Sequence, residues 1–166
     1  MVRFLRSRTV ANLALQLALL AALVAAFFVR LPQVAGLSME PHILSGEYVL
    51  VNTFAYRIGA PHRGDIVAFR HEEDARTVFI KRVIGLPGDR IRVDRGQVYV
   101  NGVKLGETYV RHADDRSFTE VTVPPSSVYV LGDNRAESDD SRNWGVLAGD
   151  EIVGKAVVGI WPPRRI

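Results

Sequence analysis

The chain has 166 residues, a length typical of one domain or of a small domain with a terminal segment. It is 48% hydrophobic and 23% charged and contains no cysteine, which excludes a disordered tail, a disulfide-bonded scaffold and thiolate chemistry. Of its 21 basic side chains four lie in residues 1–30, which contain no acid; the remainder holds 17 basic and 18 acidic side chains. Because the basic excess lies in the N-terminal segment, the net charge of +3 does not indicate nucleic-acid binding.

Residues 10–29 predict a helix that spans a membrane. This segment has twenty uncharged residues, and a helix of that length covers ~30 Å, the thickness of the hydrocarbon core of a bilayer. The arginines that flank it are Arg3, Arg6, Arg8 and Arg30. By the positive-inside rule, residues 1–30 are predicted to be a cytoplasmic basic tail and anchor helix, and residues 31–166 an extracytoplasmic domain.

A cleaved secretory signal is the alternative for this segment, because it has the same basic start and apolar stretch. The apolar stretch of such a signal usually runs ~7–15 residues and ends at small residues. Here the stretch is longer and is followed by Arg30-Leu31-Pro32. These differences favour an uncleaved anchor, and the protein is predicted to be a single-pass protein of the cell membrane, in contact with the lipid bilayer.

The chain after the anchor is predicted to be mostly β. Short runs of β-branched and aromatic residues alternate with Gly, Pro and Asp. The predicted strands are 48–51, 65–69, 78–84, 90–93, 97–100, 103–105, 120–123, 128–131 and 152–160. Asn101-Gly102 predicts a type I′ hairpin, and no long helix is predicted after residue 30. We therefore expect a compact antiparallel or mixed β domain with a small β insertion at residues 94–127.

The four histidines do not predict a metal site. His42, His62, His71 and His112 are scattered, and no pair has the spacing of a zinc motif. Residues 71–74 are interpreted as a solvated loop between two strands. No metal and no cofactor are predicted.

Lysine is scarce in this chain, which makes Lys81 a candidate general base. Only three of the 21 basic residues are lysines, and lysine, unlike arginine, can lose its proton. In a strand, Lys81 shares a face with Phe79 and Val83, and burial on that face would lower its pKa. The alternative is a lysine at a sheet edge whose amine reaches solvent. Arg82 shares the opposite face with apolar residues, so the alternation alone does not decide which face is buried.

Ser38 is the candidate nucleophile. It lies in Gly36-Leu37-Ser38-Met39-Glu40-Pro41, where Gly36 permits a tight backbone approach and Pro41 restricts the chain beyond the serine. An ordinary loop serine is the alternative, since the second glycine of the hydrolase elbow is missing. Ser38 lies nine positions beyond Val29, so it is at most ~30 Å from the predicted anchor.

Residues 132–145 form a dense polar loop after a predicted strand. The loop reads Gly-Asp-Asn-Arg-Ala-Glu-Ser-Asp-Asp-Ser-Arg-Asn-Trp-Gly. It is either a functional loop or a solvated turn in which Asp140 and Arg142 form a surface ion pair worth ~0–1 kcal/mol.

Together these segments resemble bacterial type I signal peptidases, the membrane-anchored serine proteases that remove signal peptides from exported proteins. The resemblance covers most of the chain after the anchor, in the order of the family. The segments that carry it are Ser38 to Pro41, Arg63 to Phe69, Lys81 to Asp89, Gly132 to Gly145 and Gly154 to Ala156.

The resemblance implies a Ser–Lys dyad in which Ser38 is the nucleophile and neutral Lys81 the general base. It further implies that Ser138 hydrogen-bonds the amine of Lys81, and that Asp140 and Arg142 pair to hold the loop. The residues that it assigns to the substrate and oxyanion neighbourhood are Gly36, Met39, Pro41, Gly132, Asp133 and Asn134. The backbone N–H of Ser38 is expected to meet the oxyanion.

This sequence departs from the family pattern at two positions. Some members have a serine where Gly36 stands, and the hydroxyl of that serine completes the oxyanion hole. Gly36 has no hydroxyl, so the second oxyanion donor is unassigned in this chain. His42 stands where threonine is common, and the sequence offers no physical account of it.

The implied substrates are preproteins with small residues one and three positions before the cleaved bond. The sequence does not indicate the oligomeric state. Two alternatives remain open. In the first, the chain is a membrane-anchored, non-catalytic β domain that binds an extracytoplasmic partner. In the second, it is a related peptidase that serves one secretion or conjugation system.

Overall fold

The computed structural model describes residues 2–71 and 74–161. It begins with helix α1 (Val2–Phe28), whose segment Val10–Phe28 is long and apolar enough to cross a membrane and is not buried against the rest of the chain. The predicted helix at residues 10–29 is therefore present, except that Val29 already belongs to a strand. The orientation of this helix in a membrane remains a prediction.

The larger of two sheets has seven antiparallel strands. In chain order they are β1 (Val29–Arg30), β2 (Tyr48–Asn52), β3 (Ile66–His71), β4 (Asp74–Gly85), β9 (Ser127–Leu131), β10 (Leu147–Ala148) and β11 (Ile152–Trp161). Their order across the sheet is β1-β2-β11-β3-β4-β9-β10. The long strands β3 and β4 lie near the centre, and both faces are covered there: Val67 and Ala68 of β3, neighbours that point to opposite faces, are each 0% exposed.

The smaller sheet has four antiparallel strands in the order β7-β6-β5-β8. They are β5 (Arg90–Asp94), β6 (Gln97–Val100), β7 (Val103–Lys104) and β8 (Phe118–Thr122). Asn101 and Gly102 connect β6 to β7 with φ values of 53° and 83°, as the predicted type I′ turn requires. This sheet begins at Arg90, so the predicted insertion limit at 94 falls on the last residue of β5; the division into domains remains a prediction.

The predicted fold class, mostly β with one N-terminal helix, is confirmed. All nine predicted strands are present, with ends that differ by up to four residues. The prediction missed β1 and β10, because two residues are too few to show an alternating pattern. It also missed two four-residue helices, α2 (Ala55–Ile58) and α3 (Ser141–Trp144). The second lies within the polar loop and is capped by Asp140.

One apolar cluster fixes the segment that carries Ser38. Met39 and Ile43 are 1% and 0% exposed and pack with Val49, Ile66 and Ile80 of the larger sheet. Burying such side chains stabilises a fold by ~1.5–3 kcal/mol each. The residue next to Ser38 is therefore held against the sheet, which limits the movement of the serine.

Candidate functional site

Ser38 and Lys81 lie side by side although 43 positions separate them. The Nζ of Lys81 donates a hydrogen bond of 2.7 Å to the Oγ of Ser38. Lys81 lies on β4 opposite Val67 of β3 and is 4% exposed. The side chain is therefore buried, and the alternative of a solvent-reaching edge lysine is wrong.

The environment of Lys81 lowers the pKa of its amine to about 8. Burial is the main cause, because an ammonium group loses hydration among apolar neighbours. Arg142 lowers the pKa further, whereas the carboxylates of Asp140 and Asp139 oppose the shift. The amine is thus partly neutral near physiological pH, as a general base has to be.

Asn134 holds the backbone of residues 37 and 38, the serine segment, through two hydrogen bonds. Its backbone N–H donates to the carbonyl of Ser38 at 3.0 Å, and its side-chain amide donates to the carbonyl of Leu37 at 3.2 Å. The backbone N–H of Ser38 itself has no hydrogen-bond acceptor among residues 2–71 and 74–161. Both carbonyls are therefore used in the protein, while the Ser38 N–H is available to a bound group.

Asp140 organises the polar loop from a fully buried position. Its carboxylate accepts hydrogen bonds from the backbone N–H of Gly132 at 3.0 Å and from the hydroxyl of Ser138 at 2.7 Å. It also pairs with Nε and Nη2 of Arg142 at 2.7 and 2.8 Å. The expected Asp140–Arg142 pair is present, but it is buried, so the alternative of a solvated turn is wrong.

Ser138 differs from its expected role. Its hydroxyl donates to Asp140, and no hydrogen bond joins it to Lys81 in the part of the chain that the structure describes. The hydroxyl proton is directed to the Asp140 carboxylate, the stronger acceptor, so Ser138 could bind the Lys81 amine only by accepting through its oxygen, and no such hydrogen bond forms among the described residues. The predicted hydrogen bond between Ser138 and Lys81 is therefore not made in this structure.

Asp133 forms a second buried ion pair beside the site. Nε and Nη2 of Arg82 donate to its carboxylate at 2.7 and 2.6 Å, and this pairing raises the pKa of Arg82 despite the burial that opposes it. The Nδ1 of His42 lies 3.2 Å from the same carboxylate, without hydrogen-bond geometry. His42 and Arg82 thus enclose Asp133, a role for both that the sequence did not indicate.

A loop of the smaller sheet, residues 105–117, contacts the polar loop through charged side chains; we call it the bridging loop. Glu107 accepts two hydrogen bonds from Arg135, at 3.0 and 2.5 Å, and Asp114 accepts one from Arg142 at 2.6 Å. Arg135 in turn donates to the carbonyl of Gly132. The sequence analysis missed these carboxylates, because loop contacts follow no periodic pattern.

Two cavities flank the Ser38–Lys81 pair. The sheet-side cavity, of about 280 Å³, is lined by residues 32–35 and 77–80 and by Met39. The loop-side cavity, of about 410 Å³, is lined by residues 35–37, aromatic side chains, and the carboxyl side chains of Glu137 and Asp139. Both include Ser38 and Lys81, so an extended chain bound in the two cavities passes the serine hydroxyl.

The other predicted site residues lie at the edge of this arrangement. Gly36 has a φ of 101°, a conformation that favours glycine, and lines the loop-side cavity. Pro41 is exposed, two residues beyond the buried Met39. Gly36 brings no side-chain donor to the serine, as the sequence predicted.

Comparison with known proteins identifies relatives of this chain. Residues 7–161 match the family described as signal peptidase, peptidase S26. The chain is 41% identical over 146 residues to signal peptidase I of Bacillus caldolyticus, covering 80% of this chain and 79% of that protein. It is 40% identical over 134 residues to a probable signal peptidase I-2 of Synechocystis, covering 78% of this chain and 62% of that protein.

A solved structure is also similar. The crystal structure of a signal peptidase I from Enterococcus faecalis V583 shares 34% sequence identity with this chain and superposes with a TM-score of 0.52. The match covers 59% of this chain and 97% of that structure.

Proposed function

Because the chain belongs to the signal peptidase family, peptidase S26, we propose that it acts as signal peptidase I, a serine endopeptidase that removes signal peptides, with Ser38 and Lys81 as its catalytic pair. The family predicted from the sequence is confirmed. The observation that carries the proposed pair is the 2.7 Å hydrogen bond between a buried lysine amine and a serine hydroxyl.

In the proposed reaction, neutral Lys81 takes the proton of the Ser38 hydroxyl as Oγ attacks the carbonyl carbon of the scissile peptide bond. The tetrahedral intermediate collapses, the C–N bond breaks, and the Lys81 ammonium gives its proton to the leaving amine. The signal peptide is then an ester of Ser38. A water molecule, deprotonated by Lys81, attacks this ester and releases the free carboxylate and the serine hydroxyl.

The proposed oxyanion donor is the backbone N–H of Ser38, which has no acceptor in the described part of the chain. Such a donor stabilises the negative charge that develops on the carbonyl oxygen, and one donor contributes ~10²–10³ in rate. Gly36 supplies no hydroxyl, so a second donor has to come from the backbone or from water.

The proposed substrates are preproteins with small residues one and three positions before the cut. The sheet-side cavity supports this proposal because Val78, Ile80 and Met39 line it, and because its volume of about 280 Å³ is modest. A small apolar cavity excludes large or charged side chains.

Helix α1 supports a place at the membrane. In the proposed topology the N-terminus is cytoplasmic, α1 crosses the bilayer, and residues 31–166 form the catalytic domain outside, with a small β insertion near residues 94–127. Ser38 follows the end of α1 by ten residues, which keeps the reaction close to the bilayer surface where a signal peptide emerges.

The test is the cleavage of a purified preprotein by the full chain in detergent micelles. Ser38→Ala and Lys81→Ala are each expected to lower the rate by at least ~10⁴-fold, since nucleophile and base act as a unit. Lys81→Arg is expected to be equally inactive, because a guanidinium stays protonated.

The matched controls are Ser117→Ala and Lys104→Ala, two exposed side chains outside the site, which should retain activity. Substantial cleavage by Lys81→Arg would exclude lysine as the base. If the wild type processes one cognate precursor but no generic one, the protein is a specialised peptidase.

A further inference from the structure

Resting on the proposed function, we infer that the loop-side cavity receives the residues that follow the cut, and that Glu137 and Asp139 there select basic over acidic substrate side chains. Nothing in the family match or in the names of the relatives assigns this selectivity.

The side of the cut follows from the position of the two cavities. The sheet-side cavity is built on residues 32–35, which begin two positions after the strand at the end of α1, and it is therefore the nearer of the two cavities to the proposed membrane helix along the chain. A signal peptide approaches from the bilayer with the residues that precede its cut. Those residues occupy the sheet-side cavity, and the chain beyond Ser38 enters the loop-side cavity.

The loop-side cavity is lined by two carboxylates and one cation, so the lining keeps a net negative charge. Glu137 and Asp139 are both exposed, and neither forms a salt bridge within residues 2–71 and 74–161. Among the described residues, the carboxylate of Asp139 accepts a hydrogen bond only from the neutral side-chain amide of Asn143, at 2.7 Å. Lys81, the sole cation among the described residues that line this cavity, is hydrogen-bonded to Ser38 and balances at most one of the two carboxylates.

The neighbouring carboxylates show that this exposure is specific to two residues. Asp133 and Asp140 of the same loop are 0% exposed and paired with arginines at 2.6 and 2.7 Å. Those two acids hold the loop together, whereas Glu137 and Asp139 face the space through which a substrate has to pass. Aromatic residues complete the wall: the ring centroids of Phe69 and Trp144 are 6.0 Å apart.

A long basic side chain fits this wall better than an acidic one. Its methylene groups pack on the aromatic rings while its charged end reaches the two carboxylates. An acidic side chain is repelled by both. An exposed charge pair changes an equilibrium by a few-fold. Because the two carboxylates attract Lys and repel Glu, the kcat/KM values of substrates with Lys and with Glu should differ roughly tenfold at low salt.

The experiment compares peptides that differ only at the first two residues after the cut, where Lys, Ala or Glu is placed. The full-length enzyme in zwitterionic detergent is assayed for kcat/KM with each peptide. We expect the order Lys, Ala, Glu, with a Lys-to-Glu ratio of roughly tenfold at low ionic strength that decreases in high salt. Placing the same residues at the second position before the cut should give a ratio near one.

The double variant Glu137→Gln/Asp139→Asn is expected to bring the Lys-to-Glu ratio close to one, whatever its effect on absolute rates. The matched control, Asp150→Asn, removes an exposed acid that lines a separate cavity and should leave the ratio unchanged. The ratio is compared within each variant, so a change in Lys81 basicity cancels.

The outcomes separate the inference from the proposed function. Cleavage with equal rates for Lys and Glu, or a ratio that survives the double variant, overturns the inference and leaves the peptidase function standing. A charge preference that appears before the cut instead of after it also overturns the inference. If no peptide or preprotein is cleaved, the proposed function fails, and the inference falls with it.

Discussion

The carbonyl oxygen of Ser38 lies so close to the Cα of Gly132 that a β-carbon at position 132 would stand 2.5 Å from it. The same added β-carbon would stand 2.6 Å from the Cβ of Ser138. Heavy atoms that are not bonded do not approach so closely, so only glycine allows the polar loop to pack on the serine segment. Glycine is required at position 132 because two parts of the site are in close contact there.

We therefore expect Gly132→Ala to separate the two segments. Overpacking of this kind costs ~1–3 kcal/mol of the free energy of unfolding, and a displaced serine is expected to lower kcat by at least tenfold. Thermal unfolding and preprotein cleavage measure the two effects. Gly106→Ala is the control, because a β-carbon there meets no atom within 4 Å. Equal unfolding temperatures for the two variants would contradict the packing argument.

The pH dependence of cleavage is expected to follow the Lys81 amine. Because burial lowers its pKa to about 8, the neutral form that accepts a proton increases as pH rises through that value. We expect kcat/KM to rise about tenfold per pH unit below the pKa and to level off above it. A pH series with a constant-ionic-strength buffer measures this. A midpoint near ~6.5 would indicate a histidine base instead.

Lys81 is expected to reduce the stability of the fold. Its pKa is about 8 in the folded protein against 10.5 when exposed, so the unfolded state binds the proton more tightly, and below pH 8 the difference disfavours folding by about 3 kcal/mol. Lys81→Met, which removes this cost, is expected to raise the free energy of unfolding by about 1–3 kcal/mol at neutral pH.

The pH dependence of this stability difference provides a control. The advantage of Lys81→Met should shrink as pH rises from about 8 to about 10.5, because the wild-type lysine is then neutral in both states. Lys104→Met, at an exposed lysine, should change little at any pH. Denaturant unfolding at several pH values measures both. A Lys81→Met variant less stable than the wild type at neutral pH would contradict this account.

The bridging loop is expected to stabilise the site through Glu107. The side chains of Glu107 and Arg135 are 10% and 2% exposed, so removing one charge leaves the other buried and unpaired. Glu107→Gln is therefore expected to cost ~3–5 kcal/mol in the free energy of unfolding and to lower activity with it.

The matched control for this pair is Glu120→Gln. Glu120 lies 4.0 Å from Arg90, and both side chains are largely exposed, so this pair should contribute at most ~1 kcal/mol. Denaturant unfolding of the two variants side by side measures the difference. If both substitutions cost the same, the ion pair between the bridging loop and the polar loop does not hold the site.

Local patterns in the chain predicted its elements well. A run of twenty uncharged residues indicates α1, β-branched alternation indicates the strands, and Asn101-Gly102 indicates its turn, because each of these depends on neighbours within a few positions. The scarcity of lysine also singled out Lys81. The family resemblance then connected it with Ser38, and the comparisons confirm the family.

Alternation along β4 did not decide which face of that strand is buried, because both faces are. The side chains of the neighbours Lys81 and Arg82 point to opposite faces, and each is largely buried. Nor did the sequence indicate that the Ser138 hydroxyl binds Asp140 rather than Lys81. Which acceptor a hydroxyl chooses depends on distances between loops, and no spacing in the chain encodes those.

The amino-acid order by itself therefore determined the apolar N-terminal helix, the strands, the family and the two candidate side chains, since these follow from local periodicity, residue chemistry and motif order. Only the tertiary structure decided that the Lys81 amine is buried 2.7 Å from a hydroxyl, and that Glu107 of the bridging loop pairs with Arg135 of the polar loop. Burial and pairing arise from parts of the chain that are distant in sequence, and packing alone brings them together.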